Sequence, residues 1–146
     1  MFGTITDKKI VILGFSFKAN TNDTRESPSK YVCQKLLEEG SKLAIYDPKV
    51  SAEQIKKDLD QEVNLNDEYS KNHIEIFDSI KESVTGADAI VVMTDWEEFK
   101  LIDWEDVSNL MRSPSWLFDT RSICDIEKAK ISGLNIWRIG YGKKDK

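Results

Sequence analysis

Histidine and cysteine are nearly absent: His73 is the single histidine, and Cys33 and Cys124 are the two cysteines among 146 residues. They stand far apart, in no CxxC or Cys/His pattern, which argues against a metal site and a disulfide framework and leaves reduced thiols as the default. An excess of basic residues is also missing. Lys plus Arg number 21 against 26 Asp plus Glu, a net charge of −5, so duplex nucleic acid and anionic membrane, which need clustered cations, are not expected as main partners. No apolar run approaches a membrane span and the opening "MFGTITDKK" is no signal segment, so a soluble, cytoplasmic protein is expected. No Ser/His/Asp set, paired-carboxylate signature, Walker motif or internal repeat occurs.

What is present is an alternation of strand and helix signals. "KIVILGFSF", Lys9 to Phe17, is a short apolar run rich in β-branched residues, as in a strand buried on both faces of a parallel sheet. Ser27 and Pro28 read as N-cap and first helical residue, Tyr31, Val32, Lys35, Leu36 and Glu39 follow at helical spacing, and Gly40 ends the helix. "KLAIYD" (Lys42–Asp47) is a second strand stopped by Pro48. From Ser51 to Asn72 the chain is polar and acidic, with one short helix near Ala52–Leu59 and then a loop expected to be mobile. "HIEIF" (His73–Phe77) alternates like an edge strand, and Ser79–Val84 is a short helix closed by Gly86. "DAIVVMT" (Asp88–Thr94), a helix near Trp104–Met111, "SWLFDT" (Ser115–Thr120) and "NIWRIG" (Asn135–Gly140) complete the series. The length suits one domain over residues 1–146, of α/β class: a doubly wound, mostly parallel, Rossmann-like three-layer sandwich.

In such a sheet ligands sit beyond the carboxyl ends of the strands. Phe17, Lys18 and Arg25 follow the first strand, Asp47 the second, Thr94, Asp95 and Trp96 the fourth, and Asp119, Thr120 and Arg121 the fifth. Lys18, Arg25 and Arg121 thus converge on one edge, and the helix starting at Ser27 is expected to add unpaired N–H groups there, a combination suited to a phosphorylated ligand. The alternative is that Lys18 and Arg25 only pair with Asp23 and Glu26. A GxGxxG turn is lacking, since Gly14 is followed by Phe15, Ser16 and Phe17; the ligand must be gripped by side chains rather than by a glycine-rich dinucleotide cradle. Cys33, within a helix among apolar residues, and Cys124, without a base to activate it, are poor nucleophiles. The residues alone describe an anion-binding domain with no catalytic or metal site of its own.

"LGFSFKANTNDTRESPS" (Leu13–Ser29) resembles the pattern GxxFKxxTxDxRxS of the nucleotide-sugar dehydrogenases, in particular the C-terminal, UDP-binding domain of the UDP-glucose 6-dehydrogenases. "IYDPKV" at Ile45, "GADAIVVMTDWEEFK" at Gly86 and "LFDTR" at Leu117 follow in the same order. The similarity runs from about Thr4 to Gly140. It implies an NAD-dependent enzyme that oxidises UDP-glucose to UDP-glucuronate with two NAD per product. Its N-terminal NAD-binding domain, central helical segment and catalytic groups would lie outside this chain, so the 146 residues alone are expected to be inactive. By motif, Phe17, Lys18 and Arg121 are implied to bind the UDP-sugar and Arg25 to reach NAD, with a homo-oligomer expected at full length. The other reading is a stand-alone, non-catalytic nucleotide-sugar-binding module. Two positions depart from the family's usual residues. Thr120 stands where Gly is common, which would displace Arg121 if the backbone there needs positive φ, and Asp95 stands in place of Glu.

Overall fold

The computed structural model describes residues 4–25, 27–62 and 73–138. Strands and helices alternate along it: β1 (Lys9–Leu13), α1 (Pro28–Glu38), β2 (Lys42–Tyr46), α2 (Ala52–Glu62), β3 (Ile74–Ile76), α3 (Ile80–Val84), β4 (Ala89–Val92), α4 (Glu97–Lys100), α5 (Trp104–Leu110), β5 (Trp116–Asp119), α6 (Ile126–Ile131) and β6 (Asn135–Arg138). The strands form one sheet in the order β3-β2-β1-β4-β5-β6, with every neighbouring pair parallel. The chain therefore starts in the middle of the sheet, works outward to β3, and returns to β1's other side as β4. That reversal opens a crevice between the loops after β1 and β4, where ligands of doubly wound folds sit.

Side chains alternate across a strand, and the two cores follow that period. Ile10 and Ile12 of β1, Leu43 and Ile45 of β2 and Ala89 of β4 pack with Cys33 and Leu37 of α1 and Ile55 and Leu59 of α2. Val11 and Leu13, Ala44 and Tyr46, Ile90 and Val92, and Leu117 pack on the opposite side with Val84 of α3, Phe99 of α4, Trp104 and Val107 of α5 and Ala129 of α6. Burial on both sides explains why β1 and β4 are almost continuously apolar. Phe15, Phe99 and Trp104 are almost fully buried, each worth about 1.5–3 kcal/mol or more of transfer free energy.

The helices begin where short polar side chains can accept a hydrogen bond from the first turn. Ser27, Ser79, Asp103 and Asp125 cap α1, α3, α5 and α6 in this way, each cap contributing about 0.5–2 kcal/mol. Helices α4 and α6 were not anticipated from the sequence: α4 is a single turn, and the signal of α6, Asp125 ahead of an Ile126–Ala129 apolar pair, is short enough to pass for a turn.

Most strands are a residue or two shorter than expected at one or both ends, and two boundaries differ by more. Strand β1 stops at Leu13, not Phe17, because Gly14 adopts φ 99° and turns the chain out of the sheet. A Cβ at Gly14 would overlap the Thr94 side chain and come 2.9 Å from the Thr94 amide nitrogen, so glycine is required there for space as well as for conformation. Helix α2 runs on to Glu62. The acidic loop after it, Glu26, and the Ile139–Gly140 end of the last expected strand lie outside the described residues.

Candidate functional site

The loop after β1 has no backbone donors left for a ligand along its first four residues. Gly14 N–H donates to the Tyr46 carbonyl at 2.8 Å and Phe17 N–H to the Asp23 carbonyl at 2.6 Å. Phe15 and Ser16 both donate to Asp47 Oδ2, at 2.7 and 3.0 Å. The other Asp47 oxygen accepts from Lys49 and Val50 at 2.8 and 3.0 Å. Asp47 is thus a buried anchor that joins the turn after β1 to the turn after β2. In a dinucleotide-binding fold the acid at the end of the second strand hydrogen-bonds the ribose; here the protein's own amides occupy it.

The start of α1 is closed as well, which corrects the expectation of free helix N–H groups. Pro28 has none, Ser29 N–H donates to Ser27 Oγ at 3.2 Å, and Lys30 N–H to the Ser27 carbonyl at 3.3 Å. Ser27 and Ser29 hydroxyls donate in turn to the Phe15 and Gly14 carbonyls, both at 2.9 Å. These two serines bolt the loop onto the helix. What the loop offers outward is side chains: Phe17 is 45% exposed, and Lys18 is exposed with no ion-pair partner among the described residues.

The crevice wall opposite is built by the ends of β4 and β5. Thr94, buried, donates from Oγ1 to the Ser16 carbonyl at 3.2 Å, and Asp95 Oδ1 accepts from Ala19 N–H at 3.3 Å. Asp95 Oδ2 lies 3.7 Å from Arg121 Nη2. Arg121 sits in a turn held by the fully buried Asp119, whose carboxylate accepts from Arg121 N–H at 3.1 Å and Cys124 N–H at 2.8 Å. Thr120 fits this turn without strain. It is Ser122 that takes the left-handed conformation, at φ 58°, while Thr120 Oγ1 donates to the Val92 carbonyl. The condition under which threonine would have displaced Arg121 is therefore not met.

Arg25 stands on the outer side of the same loop. Its Nε and Nη2 donate to Asp23 Oδ1 and Oδ2 at 3.1 and 3.0 Å, and its side chain is 88% exposed. The fork holds the Asp23 carboxyl down at about 2, chiefly through the Arg25 side-chain hydrogen bond and next through the Arg25 amide. The Asp23 carbonyl holds the Phe17 amide, so Arg25 and Phe17 are linked through one residue. Of the four expected site residues, Phe17 and Arg25 are thus tied to Asp23, one through its carbonyl and the other through its carboxylate, while Arg121 pairs with Asp95, which also holds the amide that follows Lys18. The pairing of Arg25 with Asp23 is the one the alternative reading of the sequence named; that Asp95 meets Arg121 is not legible in the sequence.

Other reactive groups are withdrawn. Cys33 is fully buried and its thiol is pushed well above the ordinary range by burial, and Cys124 is buried. The Tyr46 hydroxyl donates to Glu98 at 2.6 Å, and burial, then this bond, raise it above the ordinary phenol range. Among the described residues no His, Cys, Asp and Glu side chains gather into a metal-holding group, and no helix is long and apolar enough to cross a membrane.

The sequence profile described as "UDP-glucose/GDP-mannose dehydrogenase family, UDP binding domain" matches residues 11–126. The chain belongs to this family. It is 43% identical over 141 residues to the UDP-glucose 6-dehydrogenase of Drosophila melanogaster, covering 96% of this chain and 30% of the fly protein. The enzyme of Bos taurus is 44% identical over 144 residues, covering 99% and 29%. Among solved structures, UDP-D-ManNAc dehydrogenase of Pyrococcus horikoshii superposes with a TM-score of 0.70 at 27% identity, covering 95% of this chain and 27% of that one. A UDP-glucose dehydrogenase of Pyrobaculum islandicum, at 22% identity and a TM-score of 0.65, covers 93% and 26% and shows the fold alone. This dehydrogenase-family domain therefore spans about 30% of the length of the curated relatives it matches.

Proposed function

We propose that this domain supplies the UDP-sugar side of an NAD-dependent UDP-glucose 6-dehydrogenase, a cytoplasmic homo-oligomer that oxidises UDP-glucose to UDP-glucuronate. The sugar's primary alcohol becomes a carboxylate, a four-electron oxidation that reduces two NAD. The NAD-binding domain, the central helical segment and the catalytic groups belong to the remainder of the enzyme. Within this domain Phe17 and Lys18 from the β1 loop and Arg121 from the β5 turn bind the UDP-sugar, and Arg25 reaches toward NAD. The observation that carries the reading is the closed backbone at the start of the β1 loop: with the amides of Gly14 to Phe17 spent on Tyr46, Asp47 and Asp23, the anion falls to the side-chain cations Lys18 and Arg121, with the exposed Phe17 ring beside them. The relatives named above are dehydrogenases, and no feature favours a stand-alone binding module.

The test is kinetic, in a full-length enzyme carrying this domain. Lys18→Ala is expected to raise chiefly the KM for UDP-glucose and Arg25→Ala chiefly that for NAD. Each removes a charge-assisted hydrogen bond to an anionic group, worth about 1.5–3 kcal/mol, or roughly ten- to hundredfold. Small and equal effects of both changes on both substrates would overturn the assignment. The 146-residue chain by itself is expected to give no NAD reduction with UDP-glucose.

A further inference from the structure

We infer that Asp95 is a positioning residue that holds Lys18 and Arg121 in one register, so that two separate loops meet the same anionic ligand. This rests on the UDP-sugar reading and deepens it, naming the group that sets the geometry of the site. The peptide between Lys18 and Ala19 is gripped at both ends: its carbonyl accepts from Ser16 Oγ at 2.9 Å, and its N–H donates to Asp95 Oδ1 at 3.3 Å. That fixes the direction in which the Lys18 side chain leaves the backbone. The second Asp95 oxygen stands 3.7 Å from Arg121 Nη2, with both side chains about 40% exposed. One carboxylate therefore spans the crevice, orienting a cation on the far wall and the backbone that carries a cation on the near wall.

Folding does not account for this arrangement. A half-exposed ion pair at this separation adds little to stability, and the loop is already tied down by Asp47 and Thr94. What Asp95 adds is alignment. An arginine carries five N–H donors, so a guanidinium steered through Nη2 keeps others for a phosphate oxygen. Removing the carboxylate frees Arg121 to sample other rotamers and releases the Lys18–Ala19 peptide, so both cations lose their common aim.

The experiment is calorimetric titration of UDP into a full-length enzyme carrying this domain and into its Asp95→Ala, Asp95→Asn and Asp95→Glu variants, with thermal melts in parallel. Expected are about tenfold weaker binding for Asp95→Ala, a smaller loss for Asp95→Asn, which can still accept from Ala19, and recovery to within about threefold for Asp95→Glu, all at an unchanged melting temperature. In an Arg121→Ala background Asp95→Ala is expected to cost clearly less than it does alone. Wild-type affinity in Asp95→Ala would overturn the inference and leave the UDP site standing. A loss that tracks the melting temperature, or that adds in full to the Arg121→Ala loss, would overturn the positioning role. No UDP binding by the unmodified enzyme would overturn the reading of the site and the inference with it.

Discussion

Replacing Asp47 by asparagine isolates the contact on which the candidate site is built. Its carboxylate accepts four backbone N–H groups, from Phe15, Ser16, Lys49 and Val50, between 2.7 and 3.0 Å. The donors from Phe15, Ser16 and Val50 are in buried surroundings, so water cannot readily replace the acceptor. An asparagine keeps one oxygen but turns an NH2 group toward the other pair, leaving two donors facing a donor. Each unsatisfied buried donor costs about 1–3 kcal/mol, and each remaining bond loses its charge assistance. With allowance for relaxation and non-additivity, the loss is about 3 kcal/mol, which for a domain near 150 residues corresponds to roughly 6–12 °C in Tm. Urea unfolding followed by circular dichroism, with the m value checked for constancy, measures it. A loss below about 0.5 kcal/mol would refute the reasoning. So would a variant of normal stability that had lost ligand affinity alone, because Asp47 would then be facing ligand rather than the loop.

Gly14→Ala is expected to cost about 2–5 kcal/mol, from the left-handed backbone together with the collision against Thr94; a melt near that of the parent would contradict it. The Asp23 carboxyl, followed by carbon-13 NMR, should titrate at about 2 and return to the ordinary carboxylate range in Arg25→Ala. Since the folded value is depressed, whatever Asp23 contributes to stability is present above the ordinary carboxylate pKa and lost as pH falls through about 2; a normal titration in the parent would show that the fork is absent. Cys33 should react with a thiol reagent only as fast as the domain opens, because its thiol is both buried and held neutral; rapid labelling under native conditions would contradict this.

The sequence by itself determined the strands, the sheet's parallel character and the edge at which the ligand would sit. Those signals are local: apolar runs such as Lys9–Leu13 and Ala89–Val92 have no other stable home than a sheet covered on both faces, and Ser27–Pro28 can start a helix whatever surrounds it. Even the family pattern in Leu13–Ser29 is a contiguous string. Tertiary structure decided which polar groups are spent and which remain. Asp47 looks like a ligand-binding acid until the turn at Gly14 brings the Phe15 and Ser16 amides onto it, and the start of α1 looks open to an anion until the Ser29 and Lys30 amides are found bonded to Ser27. Asp95 and Arg121, 26 residues apart in the chain, meet because β4 and β5 are adjacent and in register, Val92 beside Asp119. The physical reason is that periodicity and propensity act over one or two turns of chain, whereas the fate of a carboxylate or an amide is set by the nearest counter-group in space. The sheet order selects that group by bringing distant segments together.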